Sequence, residues 1–214
     1  VVTPAKLPVI ISAARSQQFR WNKGGAENFK KMSWRVITSK NIPLKTKIHG
    51  VLHLLNSSLF LFIFTMAILS VPVLFIKNTY THLALFFEVL VFFIITSMLF
   101  FTCYWYTFKN IQGGGFRNFT KFIGLFFTFY TIAMGFSFHN TLAVLEGLLG
   151  KKSEFIRTPK FNIESLKDKW KQNTYISKKV SKNIVVEGLL MLYFLFGMYS
   201  GIRLNDYGLM PFHL

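Results

Sequence analysis

Apolar residues run almost unbroken over three stretches, 49–76, 83–108 and 183–202. Each is long enough for a helix to cross the hydrocarbon core of a bilayer, which takes about 20 residues. The stretch 10–36 is patterned differently. Phe29, Met32 and Val36 fall at helical spacing, amid Arg15, Arg20, Lys23, Lys30, Lys31 and Arg35, with Glu27 as the one acid. That pattern predicts a basic amphipathic helix in the membrane interface, with Trp21 and Trp34 as anchors. Gly24-Gly25 predicts a break or bend in it. Residues 119–138 are apolar nearly all round. From 139 to 150 the pattern turns amphipathic, with Leu142, Leu145, Leu148 and Leu149 against Asn140, Thr141 and Glu146. Gly113-Gly114-Gly115 reads as a flexible turn; it is not a phosphate loop, because no Lys-Ser/Thr follows and no strand precedes it. The expected fold class is an all-α membrane protein. It has interfacial amphipathic helices plus about three transmembrane helices (49–76, 83–108, 183–202), and a fourth or re-entrant segment at 119–138.

Composition supports the pattern. Of 214 residues, 52% are hydrophobic and 18% aromatic, and Phe alone occurs 26 times, while charged residues are 15%, against about a quarter in an ordinary globular chain. The net charge of +17 suggests nucleic acid at first sight. The basic residues lie between apolar runs, however, so a positive cytoplasmic face against anionic lipid accounts for them, and no nucleic-acid partner is expected. The single cysteine, Cys103, excludes an internal disulfide and gives thiol catalysis no support. Residues 139–182 carry ten Lys/Arg and four Asp/Glu, so the loop after 150 is expected inside. That places 119–150 along the cytoplasmic interface or in a re-entrant segment; a fourth full span is the alternative. There is no signal peptide, and both ends read as cut, so the chain is expected to be a fragment.

Candidate chemistry concentrates in Gln17-Gln18-Phe19-Arg20-Trp21. In a helix Gln17 lies three and four residues from Arg20 and Trp21, so all three can share a face. A guanidinium can grip a phosphate bidentately, an indole offers a flat face to a sugar ring, and an amide both donates and accepts. The other reading is an amphipathic helix with a snorkelling Arg and an interfacial Trp. His49, His53, Asn56 and Ser57 form a polar stripe at the start of the first span. They either line a tunnel and hydrogen-bond sugar hydroxyls, or sit near headgroups and neighbouring helices. Glu88 lies inside the second span, where a carboxylate is a functional candidate; snorkelling or neutral protonation is the alternative.

Interfacial Gln-x-x-Arg-Trp, two spans, an amphipathic segment, a basic loop and another span occur here in that order. The order resembles the membrane half of processive family 2 glycosyltransferases: the cellulose synthase, hyaluronan synthase and cellulose-synthase-like superfamily. The run Ser16-Gln17-Gln18-Phe19-Arg20-Trp21-Asn22-Lys23-Gly24, with Phe29-Lys30-Lys31-Met32 after it, looks most like the cellulose-synthase-like branch. Phe155-Ile156-Arg157-Thr158-Pro159-Lys160 is similar to that family's gating loop, Phe-x-Val-Thr-x-Lys, with Arg157 in place of Val.

The resemblance implies four regions. Residues 1–47 would hold the end of a glycosyltransferase domain and the interfacial Gln-x-x-Arg-Trp helix. Residues 48–150 would hold two spans and an interfacial or re-entrant helix. A cytosolic basic gating-type loop would occupy 151–182, and a span plus the start of a further one 183–214. It implies catalytic roles for Gln17, Arg20 and Trp21, and substrate binding by Phe155, Thr158 and Lys160; His53 and Asn56, from the polar stripe, are the further substrate-binding candidates. The activity implied is inverting transfer from a nucleotide-sugar donor (UDP- or GDP-hexose) to a β-linked polysaccharide acceptor, with export of the product. A Mg2+ or Mn2+ cofactor is implied too. The family's Asp-x-Asp metal motif and acidic base are absent from these 214 residues; the resemblance implies that both lie in a Rossmann-like cytosolic domain N-terminal to this segment, and the fragment is expected to be inactive alone. The setting is a membrane, read as a bacterial plasma membrane with basic loops cytoplasmic, a Golgi membrane being the eukaryotic counterpart. The rival classes are a non-catalytic transporter or channel-like subunit, and a non-processive glycosyltransferase acting on a lipid.

Overall fold

A computed structural model describes residues 10–89, 92–152 and 183–213. Its helices are α1 (Ile11–Thr38), α2 (Leu44–Leu55), α3 (Leu59–Thr79), α4 (Ala84–Val89), α5 (Phe92–Gln112), α6 (Phe116–Gly135), α7 (Ser137–Leu149) and α8 (Ile184–Arg203). Short 3-10 turns lie at Asn56–Ser58, Thr81–Leu83 and Met210–Phe212, and the described residues contain no strand. The protein is an all-α membrane protein. Leu44–Thr79 and Ile184–Arg203 are each long and apolar enough to cross a bilayer, and the broken pair Phe116–Gly135 and Ser137–Leu149 makes a third if it acts as one span. Within 83–108 the described helices are α4 and α5. Helix α3 has 21 residues and rises roughly 31 Å, which matches a hydrocarbon core of about 30 Å.

The chain divides into two compact units. The first takes in Val1–Phe64 and Phe136–Gly188. Its centre is the contact of α1 with α7. Asn22, Lys23 and Ala26 of α1 are buried, as are Ser137, Asn140, Thr141, Ala143, Val144 and Gly147 of α7. Small residues let the two backbones approach: a Cβ on Gly147 would lie 2.6 Å from the Lys23 carbonyl oxygen. Thr141 donates its hydroxyl to the Phe60 carbonyl at 2.9 Å. Helix α7 ends at Gly150, which takes a left-handed conformation (φ 75°). The Lys151 N–H then reaches the Glu146 carbonyl at 2.9 Å, a Schellman-type close.

The break expected as one outcome at Gly24-Gly25 does not occur: α1 is one helix through both glycines. The Ser57 hydroxyl occupies the space that a Cβ on Gly25 would need. The glycine permits the turn Asn56–Ser58 to approach the helix, and the helix runs on.

The second unit takes in Thr65–Gly135 and Leu189–Leu214. Here α5 and α6 are joined through Gly113 (φ 85°) and Gly115 (φ 104°), and Asn118 Nδ2 donates to the carbonyls of Gln112 at 2.9 Å and Gly113 at 3.2 Å. The turn expected at the three glycines is thus a capped helical hairpin. Its two arms meet through rings: Trp105 with Phe119 at 5.0 Å, and Phe101 with both Phe122 and Phe126 at 5.1 Å between centroids. Elsewhere in this unit Tyr193 of α8 donates to the Ile68 carbonyl at 2.6 Å. Lys77 and Asp206 form an ion pair at 2.7 Å.

Candidate functional site

Gln17, Arg20 and Trp21 all lie on α1. At about 100° per residue they fall within roughly 100° of one another, on the side turned from Ala26, which meets Gly147 of α7. The shared face read from their spacing is therefore formed. Trp21 is 62% exposed, while Gln17 and Arg20 are half-buried. Arg20 Nε donates to the Ser16 carbonyl at 3.4 Å. The turn that carries Asn56 sits against α1 at Gly25, one helical turn beyond Trp21. His53 and Asn56 are exposed. Phe155, Thr158 and Lys160 lie outside the described residues.

Several polar contacts fix α1 in place. Arg15 forks onto Glu187 in the first turn of α8, with Nη1 3.0 Å from Oε2 and Nη2 on Oε1. His139 Nε2 lies 3.1 Å from the Arg15 carbonyl. A carbonyl only accepts, so this nitrogen carries the proton. Phe19 packs on the same imidazole, 5.2 Å between centroids. Further along, Glu146 bridges Lys23 at 3.3 Å and Lys151 at 2.7 Å, with the Lys23 side chain only 7% exposed. The hydrogen bond from Lys151 lowers the Glu146 pKa; burial opposes that shift and Lys23 reinforces it. Lys30 Nζ donates to the Leu148 carbonyl at 2.8 Å, meeting the negative end of the α7 dipole.

The sequence reading did not single out Arg15, Lys23, His139, Glu146 or Glu187 as positioning residues. A signal was present: with eight acids against 25 Lys and Arg, each carboxylate in a buried helix face is a ready counter-charge. The spacing gave no way to match acids to cations more than a hundred residues away. Chemically, the arrangement holds a guanidinium, an amide and an open indole on one side of a braced helix, a donor set suited to a phosphate beside a sugar ring. Among the described residues no three or more His, Cys, Asp or Glu gather to hold a metal ion.

The class is thus an all-α membrane protein with a basic, braced helix ahead of its spans in the chain. A short stretch of the chain is similar to a rice protein (Oryza sativa subsp. japonica) described as "Probable glucomannan 4-beta-mannosyltransferase 2". The two are 42% identical over 45 residues, which are 21% of this chain and 8% of that protein. No family model matches the chain, and no solved structure matches it. The likeness over that stretch is to a glycosyltransferase.

Proposed function

We propose that this chain is the C-terminal membrane portion of an inverting glycosyltransferase that adds sugar from a nucleotide-sugar to a growing β-linked polysaccharide and helps export the product. The observation that carries the reading is the 45-residue likeness to a mannosyltransferase; the common face of Gln17, Arg20 and Trp21 on α1 supports it. In this reading an acceptor hydroxyl oxygen bonds to the anomeric carbon as the bond to the nucleotide diphosphate breaks. Arg20 and Gln17 hold the departing diphosphate, whose charge the guanidinium offsets. Trp21 stacks on the acceptor sugar. Phe155, Thr158 and Lys160 cover the nucleotide, and His53 and Asn56 meet sugar hydroxyls on the way out. The described residues do not fit a Mg2+ or Mn2+ ion; the reading assigns the metal, and the base that takes the acceptor hydroxyl proton, to a cytosolic domain. The basic loops face the cytoplasm, in a bacterial plasma membrane.

The test is sugar incorporation by membranes carrying the full-length natural protein, offered radiolabelled UDP-glucose and GDP-mannose with Mg2+ or Mn2+. The expected product is a β-linked polymer, and Arg20→Ala should lower turnover by about 10²–10³-fold, as loss of a charge-stabilising donor does. Trp21→Ala should chiefly raise the acceptor concentration needed. A correctly inserted full-length protein that incorporates no sugar from any nucleotide donor would overturn the reading and leave the transporter class.

A further inference from the structure

The elbow between α1 and α2 carries more charge and more open apolar surface than either helix needs for its own packing. Residues 28–87 contain no Asp or Glu. Within them Lys30, Lys31 and Arg35 lie toward the end of α1, Lys40 in the elbow, and Lys45 and Lys47 in the first turn of α2. Two of these cations have structural roles: Lys30 on the Leu148 carbonyl, and Lys47 on the Ile37 carbonyl at 2.9 Å, where it closes the end of α1. The other four, Lys31, Arg35, Lys40 and Lys45, are exposed and form no ion pair among the described residues.

The same elbow exposes large apolar side chains. Trp34 and Leu44 are each 71% exposed, and Ile37 and Ile48 are about half exposed. Trp34 and Ile37 are three apart on α1, and Leu44 and Ile48 four apart on α2, so each pair shares a helix face. A face that met only water would carry the lysines without the Trp, Leu and Ile. The hairpin is closed by direct approach of its arms, with Val36 Cγ1 3.3 Å from where a Cβ on Gly50 would sit, and Trp34, Ile37, Leu44 and Ile48 stay open beside that contact. The cations lie at the N-terminal end of Leu44–Thr79, a stretch long and apolar enough to cross a bilayer. A cluster of four or more cations directly beside a transmembrane helix meets anionic lipid.

We propose that the α1–α2 elbow is a binding site for anionic phospholipid. Lys31, Arg35, Lys40 and Lys45 take the headgroup phosphates, and Trp34, Ile37, Leu44 and Ile48 enter the acyl boundary. The proposal is independent of the glycosyltransferase reading; it rests on the membrane fold and the elbow alone.

The test uses the purified full chain in detergent, titrated with phosphatidylglycerol and followed by native mass spectrometry for retained lipid. Phosphatidylcholine and soluble glycerol phosphate are the parallel arms. Phosphatidylglycerol should be retained, phosphatidylcholine should not, and glycerol phosphate should not compete at equal concentration. Each neutralised cation should weaken retention about fivefold. Lys31→Gln/Arg35→Gln/Lys40→Gln/Lys45→Gln should then lose on the order of several hundred-fold. Lys40→Gln/Lys45→Gln alone, which disturbs no helix contact, should lose roughly 25-fold and keeps the test decisive if the fourfold variant fails to fold. The control is Lys109→Gln/Arg117→Gln/Lys121→Gln on the α5–α6 hairpin, which should change retention little. Equal loss in that control would mean general charge adsorption and overturn the site. Equal retention of glycerol phosphate would mean a free-anion site and overturn it as well.

Discussion

Two helix pairs in this protein solve the packing problem in opposite ways. Helices α1 and α7 meet through glycine, alanine, serine and asparagine, with Glu146 between two lysines at the edge. Helices α5 and α6 meet through phenylalanine and tryptophan rings at 5.0–5.1 Å. The first contact is close and polar, so it depends on backbone approach and on exact counter-charges. The second is built from bulky rings, worth about 0.5–1.5 kcal/mol per pair beyond area, and it tolerates small shifts. The polar pair carries the candidate site. A helix that presents Gln17, Arg20 and Trp21 needs a fixed orientation, and directional contacts fix orientation better than rings do.

The sharpest way to break that contrast is to add bulk at one glycine in each pair. A Cβ on Gly147 would lie 2.6 Å from a backbone oxygen and 2.9 Å from the Ala26 Cβ, while Gly124 in α6 has nothing within 4 Å. Gly147→Leu should therefore force α1 and α7 apart, at a cost of about 3 kcal/mol or more, and Gly124→Leu should be tolerated. Thermal unfolding of both variants in nanodiscs checks this. Equal melting temperatures would show that α1 and α7 are not in close contact.

A smaller loss is expected from Glu146→Gln. The buried Lys23 ammonium loses its counter-charge and Lys151 loses a charge-assisted hydrogen bond, together about 1.5 kcal/mol, the low end for bonds to charged groups because the carboxylate is partly open to water. The pH dependence has a definite sign. The Glu146 pKa is lowered when folded, chiefly by the Lys151 hydrogen bond. Its contribution is thus present above the ordinary carboxylate range and is lost as pH falls through its own lower value. Unfolding of the wild type at falling pH should converge on that of Glu146→Gln, and a constant gap between them would remove the ion pair from the account.

Much of the fold was legible because hydropathy and turn chemistry are local. The spans in Leu44–Thr79 and Ile184–Arg203, the turn at Gly113–Gly115 and the change of pattern near His139 all stand close to where the residues put them. The face shared by Gln17, Arg20 and Trp21 was legible too, since helical spacing alone sets it. What failed was Gly24-Gly25. Local propensity reads a glycine pair as a breaker and has no knowledge of Ser57, which lies 32 residues further on and needs the space. The bracing of α1 was also out of reach. Arg15 and Glu187 are 172 residues apart, and no periodicity links them.

The finest probe of the polar pair is His139. Its Nε2 donates to the Arg15 carbonyl, and its Nδ1 is buried without a hydrogen-bond partner among the described residues. Protonating Nδ1 would put an N–H where no acceptor waits, close to the Arg15 guanidinium. Burial accordingly lowers the His139 pKa, the Arg15 charge adds to the shift, and the hydrogen bond to the Arg15 carbonyl and the Glu187 charge only partly oppose it. A histidine held neutral in the fold stabilises it above the ordinary histidine range. That stability is lost as pH falls through the folded-state value, because the unfolded chain takes up the proton first. Amide exchange in α7 should quicken between neutral and mildly acid pH in the wild type. His139→Gln, which can still donate to the carbonyl, should flatten that dependence while shifting the neutral-pH rate least of the variants considered. An unchanged pH slope in His139→Gln would assign the effect to another titrating group and leave the α1–α7 contact indifferent to this imidazole.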